Sequence, residues 1–94
     1  MDDTQKIVIA SDVMLRRLSH AKEAYGGPLD GLDAIELISK ARQALNHLET
    51  AILNVESGKY DVEKDVAYQE YIRLMMADVQ NCALALAFKA GAIK

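Results

Sequence analysis

Tryptophan is missing from this 94-residue chain, and cysteine, proline and phenylalanine occur once each. A single Cys82 leaves no internal disulfide to form, so a reducing interior fits the chain better than secretion. It stands in an apolar run, where a free cysteine behaves as a small, inert hydrophobe. An excess of positive charge is also lacking: 11 basic residues face 14 acidic ones, for a net charge of −3. That argues against broad, sequence-independent binding of DNA or RNA, which needs a basic stripe, but it leaves room for a small pocket with a few cations. No long hydrophobic run is present. The stretch from Val79 to Phe88 has no charge but falls far short of the roughly 18 apolar residues of a membrane span, so no membrane is expected. Met1-Asp2-Asp3 is acidic and no export-type apolar core follows it, so no secretory signal is expected and the compartment expected is the cytoplasm.

Strand patterning is the last absence. No segment alternates strictly between apolar and polar residues, so the expected fold class is all-α. Two breaks divide the chain, Gly26-Gly27-Pro28 and Ser57-Gly58, because glycine ends helices at positive φ and proline cannot continue one. They separate helices expected at about 4–25, 31–56 and 62–89 of one domain spanning 1–94, with Asp30 and Asp61 as N-caps. In the second helix Ala34, Ile38, Ala41, Leu45, Leu48, Ile52 and Val55 recur at steps of four and three, the seam of left-handed helix packing. Tyr68, Ile72, Met75, Val79, Cys82 and Leu86 form a matching seam on the third. The expectation is a long antiparallel helical hairpin with the N-terminal helix packed across it.

From Cys82 to Phe88 no side chain is polar, so the end of the third helix is apolar on every side. A helix that only covers one core keeps a polar face. A second copy of the chain is therefore expected to cover the surplus at Cys82, Leu84, Leu86 and Phe88, making the protein a homo-oligomer.

Catalytic patterns are short of members. Asp30-Gly31-Leu32-Asp33-Ala34-Ile35-Glu36-Leu37 resembles the start of helix 2 in acyl carrier proteins, but Gly31 stands where that family carries its modified serine. Arg42 and His47, with four residues between them, match the spacing of the RNA-cutting pair in one family of helical ribonucleases; a solvated pair at the edge of the helix explains it more simply. Neither His20 nor His47 has a glutamate three residues before it, so a di-iron bundle lacks its ligands, and no metal or cofactor is expected. A thiolate nucleophile at Cys82 would be costly among apolar side chains. The chain is expected not to be an enzyme.

Tyrosines near cations are the remaining candidates, since an aromatic face beside a cation stacks a base and holds its phosphate. Tyr60 adjoins Lys59, Tyr71 lies two residues before Arg73, and Tyr25 lies one turn after Lys22. Tyr68, on the seam, reads as core. The candidate ligand contacts are Tyr71, Arg73, Tyr60, Lys59 and Tyr25.

Two stretches, Ala34-Ile35-Glu36-Leu37-Ile38-Ser39-Lys40-Ala41-Arg42 and Tyr71 to Leu86 with its Asp78-Val79-Gln80-Asn81 and Leu84-Ala85-Leu86, resemble the small helical phage proteins that counter CBASS, a bacterial defence signalled by cyclic oligonucleotides. The resemblance implies a compact helical oligomer that sequesters cyclic di- and trinucleotides between protomers without cleaving them. It also implies that Tyr71 supplies a stacking surface and Arg73 a phosphate contact. The chain departs from the family where Gly26 follows Tyr25 in place of an arginine, and where Glu70-Tyr71 replaces an Arg-Trp pair. The first helix has no counterpart in that family. The alternative expectation is a helical protein-binding module, either a secretion-type chaperone or an inhibitor of a bacterial protein complex, because an apolar helix face is also a docking surface.

Overall fold

A computed structural model describes the backbone of residues 1–25 and 31–93 and the side chains of residues 1–20 and 31–93. It contains three α-helices, α1 (Asp3–Tyr25), α2 (Ala34–Glu56) and α3 (Val66–Lys89), and no strand among the described residues. The expected break at Gly26-Gly27-Pro28 and the expected cap at Asp30 lie outside the described residues.

Local chemistry sets each described helix end. At the start of α1, Asp2 and Gln5 cap each other: the Gln5 N–H donates to Asp2 Oδ1 at 2.8 Å and the Asp2 N–H to Gln5 Oε1 at 3.0 Å. This reciprocal pair satisfies two donors that have no intrahelical partner. Helix α2 begins at Ala34 with Asp33 at the N-cap, three residues later than the sequence suggests. Leu32, just before that cap, packs back onto the cluster around Leu37, the arrangement of a hydrophobic staple, and so fixes the entry of the chain. Helix α3 begins at Val66, four residues later than expected. Asp61 caps a separate turn, accepting from the Glu63 N–H at 3.1 Å, and Asp65 is the true N-cap, accepting from the Tyr68 N–H at 3.0 Å. Both α2 and α3 end in the same motif. Gly58 at φ 80° donates to Val55 O while the Lys59 N–H reaches Asn54 O, and Gly91 at φ 76° donates to Phe88 O while Ala92 reaches Ala87 O. Glycine is needed there because other residues are strained at positive φ.

Packing centres on α3. It packs against both α1 and α2, whereas the backbones of α1 and α2 do not come close to each other among the described residues. Against α2, Cys82 and Ala85 of α3 enclose Leu37, which is fully buried, with Ala41 and Leu86 at the margin. Farther along α2, the Ala51 carbonyl and the Asn54 amide meet the Tyr68 hydroxyl near the start of α3. Against α1, the Asn81 amide donates to Met14 O at 3.1 Å, and Arg17 meets Asp78. Part of the all-round apolar character of α3 is therefore answered inside the chain, by having a neighbour on two sides.

The buried face of α2 differs from the seam expected. Leu37, Ala44 and Ala51 are buried, seven residues apart, while Ile38, Leu45 and Ile52 of the expected seam remain 40%, 52% and 44% exposed. The helix is turned so that alanines face α3, which carries its own alanines at Ala77 and Ala85 in the core. Small side chains on both helices let the two backbones approach closely; the branched residues one position on are too large for that contact.

Candidate binding surfaces

Three tyrosines gather where α2 ends and α3 begins. Tyr60 stacks on Tyr68 with ring centroids 4.2 Å apart and planes at 10°, and Tyr68 meets Tyr71 at 5.9 Å and 38°. Tyr68 is the anchor: its hydroxyl donates to Ala51 O at 3.5 Å and accepts from Asn54 Nδ2 at 3.3 Å. The turn at Gly58 folds Tyr60 back over it. Gln69 Nε2 donates to Val62 O and closes the loop from the other side. Tyr60 and Tyr71 are each 36% exposed, so part of each ring remains open to a ligand, but one face of Tyr60 is already covered by Tyr68.

The structure thus brings Tyr60 and Tyr71 together through Tyr68, a residue the sequence reading assigned to the core. Lys59 is exposed beside Tyr60. Arg73 is occupied within its own helix, donating to Gln69 Oε1 at 3.1 Å and lying 3.8 Å from a Glu70 carboxylate oxygen. An incoming phosphate at Arg73 has to compete with that carboxylate, which opposes anion binding at this spot. The Tyr25 side chain lies outside the described residues.

A second surface lies on the outer side of α2. Ile35, Ile38, Leu45 and Ile52 are 81%, 40%, 52% and 44% exposed, and with Arg42 and Glu49 they continue at steps of three and four. At 3.6 residues per turn this stripe is centred about 130° round the helix from the buried one. An open groove of about 580 Å³ runs along its first half, lined by α2 residues including Ile35, Ile38 and Arg42. Helix α2 is thus apolar on two sides and uses one of them within the chain. Arg42 and His47 are both exposed, about 140° apart round the helix axis, so they do not converge on one site.

Of the four residues expected at a subunit contact, Cys82 is enclosed by the chain's own core at 4% exposure and Leu86 packs against the same cluster. Leu84 and Phe88 are 42% and 46% exposed and available to a partner. The Cys82 thiol is pushed above its ordinary pKa, mainly by burial and secondarily by Asp78, with Lys40 acting in the opposite direction. It is therefore protonated at neutral pH and a poor nucleophile. Among the described residues, no three acidic, histidine or cysteine side chains cluster as a metal site. Among the described residues, no helix is long and apolar enough to cross a membrane.

Sequence reasoning missed the polar contacts between α1 and α3. Arg17 grips Asp78 with two hydrogen bonds, Nε to Oδ1 at 2.8 Å and Nη2 to Oδ2 at 3.2 Å, one turn from the Asn81–Met14 bond. Asn81 is 7% exposed. The signal was present, because Asp78 and Asn81 interrupt an otherwise apolar helix and buried polar groups need partners. What the sequence did not supply was the identity of those partners, more than sixty positions earlier in the chain.

No protein-family model, no curated protein and no solved structure matches this chain.

Proposed function

We propose that this chain is a non-enzymatic helical binding protein of the cytoplasm that acts as a homo-oligomer, with α2 and α3 paired as an antiparallel hairpin. The observation that carries this reading is the outer stripe of α2. Four large aliphatic side chains at heptad spacing stand 40% to 81% exposed, and a helix face of that kind is a protein-docking surface. Leu84 and Phe88 add apolar surface on α3. The test is concentration dependence. Association links stability to mass action, so both the molar mass and the melting temperature of the purified chain rise with protein concentration. A mass of one chain and a fixed melting temperature from micromolar to millimolar protein contradict the reading.

A second reading, sequestration of a small anionic signal such as a cyclic oligonucleotide between subunits, is favoured by one observation, the partly open tyrosine cluster of Tyr60, Tyr68 and Tyr71 beside Lys59. Base stacking on such rings contributes about 1–3 kcal/mol per base. Thermal melting with a panel of cyclic di- and trinucleotides separates the two readings. A ligand at a hundredfold its Kd adds about 2.7 kcal/mol, which raises the midpoint by about 10–20 °C for a domain of this size. Under the sequestration reading one cyclic species gives that rise, and Tyr71→Ala abolishes it while the oligomer persists. A flat panel removes sequestration and leaves a protein partner, whether a secretion-type client or a bacterial complex under inhibition.

A further inference from the structure

We infer that the outer stripe of α2 is closed by α2 of a second copy, the two helices running antiparallel about a two-fold axis near Leu45. The inference rests on the self-association proposed above and adds the partner element and its direction. Two charges set into the stripe determine that direction. Along Ile35, Ile38, Arg42, Leu45, Glu49 and Ile52, every position is apolar except one basic and one acidic residue, placed one heptad apart on either side of Leu45.

Self-pairing of one helix has two directions, and the charges distinguish them. In a parallel pair each position faces its own copy, so Arg42 meets the partner subunit's Arg42 and Glu49 meets the partner subunit's Glu49. Both contacts place like charges in partly desolvated layers, which is unfavourable. In an antiparallel pair with Leu45 at the axis, Ile38 comes level with Ile52 of the partner subunit, and Leu45 packs on the partner subunit's Leu45. Arg42 then lies within one residue of the level of Glu49 of the partner subunit, and symmetry repeats that opposite-charge contact. The patch is self-complementary, as a two-fold interface requires. The stripe is open among the described residues: α3 packs against the alanine stripe instead, and Ile35, Ile38, Leu45 and Ile52 keep 40% to 81% of their surface exposed.

The experiment is a charge reversal on the full chain, read as the dimer Kd by sedimentation equilibrium. Arg42→Glu sets a carboxylate beside Glu49 of the partner subunit at two symmetric places and is expected to weaken the dimer about tenfold or more. The double variant Arg42→Glu, Glu49→Arg reinstates opposite charges and is expected to return the Kd to within about threefold of the parent. Both positions are exposed, so the variants leave the chain's own core intact. A dimer unaffected by Arg42→Glu, or one weakened but not rescued by the second change, overturns the antiparallel pairing while self-association stands. A parent chain that stays monomeric throughout overturns both.

Discussion

Leu37→Ala is expected to be the most destabilising small substitution in the described core, lowering stability by about 2–5 kcal/mol. Among the described residues Leu37 is the one large side chain with no exposed surface, held between α2 and α3 by Cys82 and Ala85 with Leu32, Ala41 and Leu86 around it. Most of the other buried residues are alanines. A core built of small residues has little capacity to collapse into the space left by a lost isobutyl group, so the cavity remains and its lining loses packing contacts. At roughly 4–8 °C per kcal/mol, the melting midpoint falls by about 10 °C or more. Chemical denaturation of parent and variant at one fixed protein concentration measures the difference. Leu15→Ala, on α1 and 64% exposed, is the internal control, with an effect within about 0.5 kcal/mol. A Leu37→Ala loss below about 1 kcal/mol would mean that α2 is not held on α3 by this contact.

Val13→Asp is expected to release α1 from α3 while leaving α2 and α3 paired. Val13 is 6% exposed and is the one side chain of α1, among those described, that is fully in the core. A carboxylate there is buried without a built partner, a cost of several kcal/mol. It also stands four residues before Arg17, the spacing at which helix side chains meet, and so draws the guanidinium away from Asp78. Beside it, the Asn81 amide on Met14 O contributes one further hydrogen bond between the two helices. Once undocked, α1 loses protection, because its first half already exposes Ile7, Val8 and Ile9 and β-branched residues are indifferent helix formers. Amide hydrogen exchange is the readout: α1 exchanges much faster in the variant, and the amides around Leu37 and Cys82 keep their parent rates. Unchanged exchange in α1 would show that a surface other than the Val13–Arg17 segment holds it.

Much of the backbone plan was readable because it depends on neighbours in the chain. The end of α2 follows from Ser57-Gly58, and the all-helical class follows from apolar residues recurring at three- and four-residue steps. The starts of α2 and α3 were placed too early, since Asp30, Asp33, Asp61 and Asp65 all qualify as caps and only the tertiary contacts of Leu32 and Gln69 choose between them. The rotation of α2 was hidden for a related reason. Its sequence offers two apolar stripes, and a pattern of hydrophobic residues alone favours the one with larger side chains. Close approach selects the alanine stripe instead, and the isoleucines are left outside.

The candidate surfaces divide in the same way. Tyr60 and Tyr71 were singled out singly from nearby cations, but their union through Tyr68 depends on the turn at Gly58 and was not visible in spacing. Arg73 was read as a phosphate contact, and its engagement with Gln69 and Glu70 on its own helix became visible only with side chains in place. The apolar end of α3 was legible as a surplus, but sequence had no way to divide it between neighbours inside the chain, which cover Cys82, and the outside, which receives Leu84 and Phe88.

The central claim is that the outer stripe of α2 holds copies of this chain together. The molar mass of Leu45→Glu beside the parent, by light scattering at matched concentration, tests it most directly. Leu45 is 52% exposed and sits at the middle of the stripe, so a carboxylate there leaves the fold of the single chain intact. The account predicts an oligomeric mass for the parent and the mass of one chain for Leu45→Glu, with the helical circular dichroism per chain preserved. An oligomer that persists in Leu45→Glu, or a parent that is already a single chain, contradicts it.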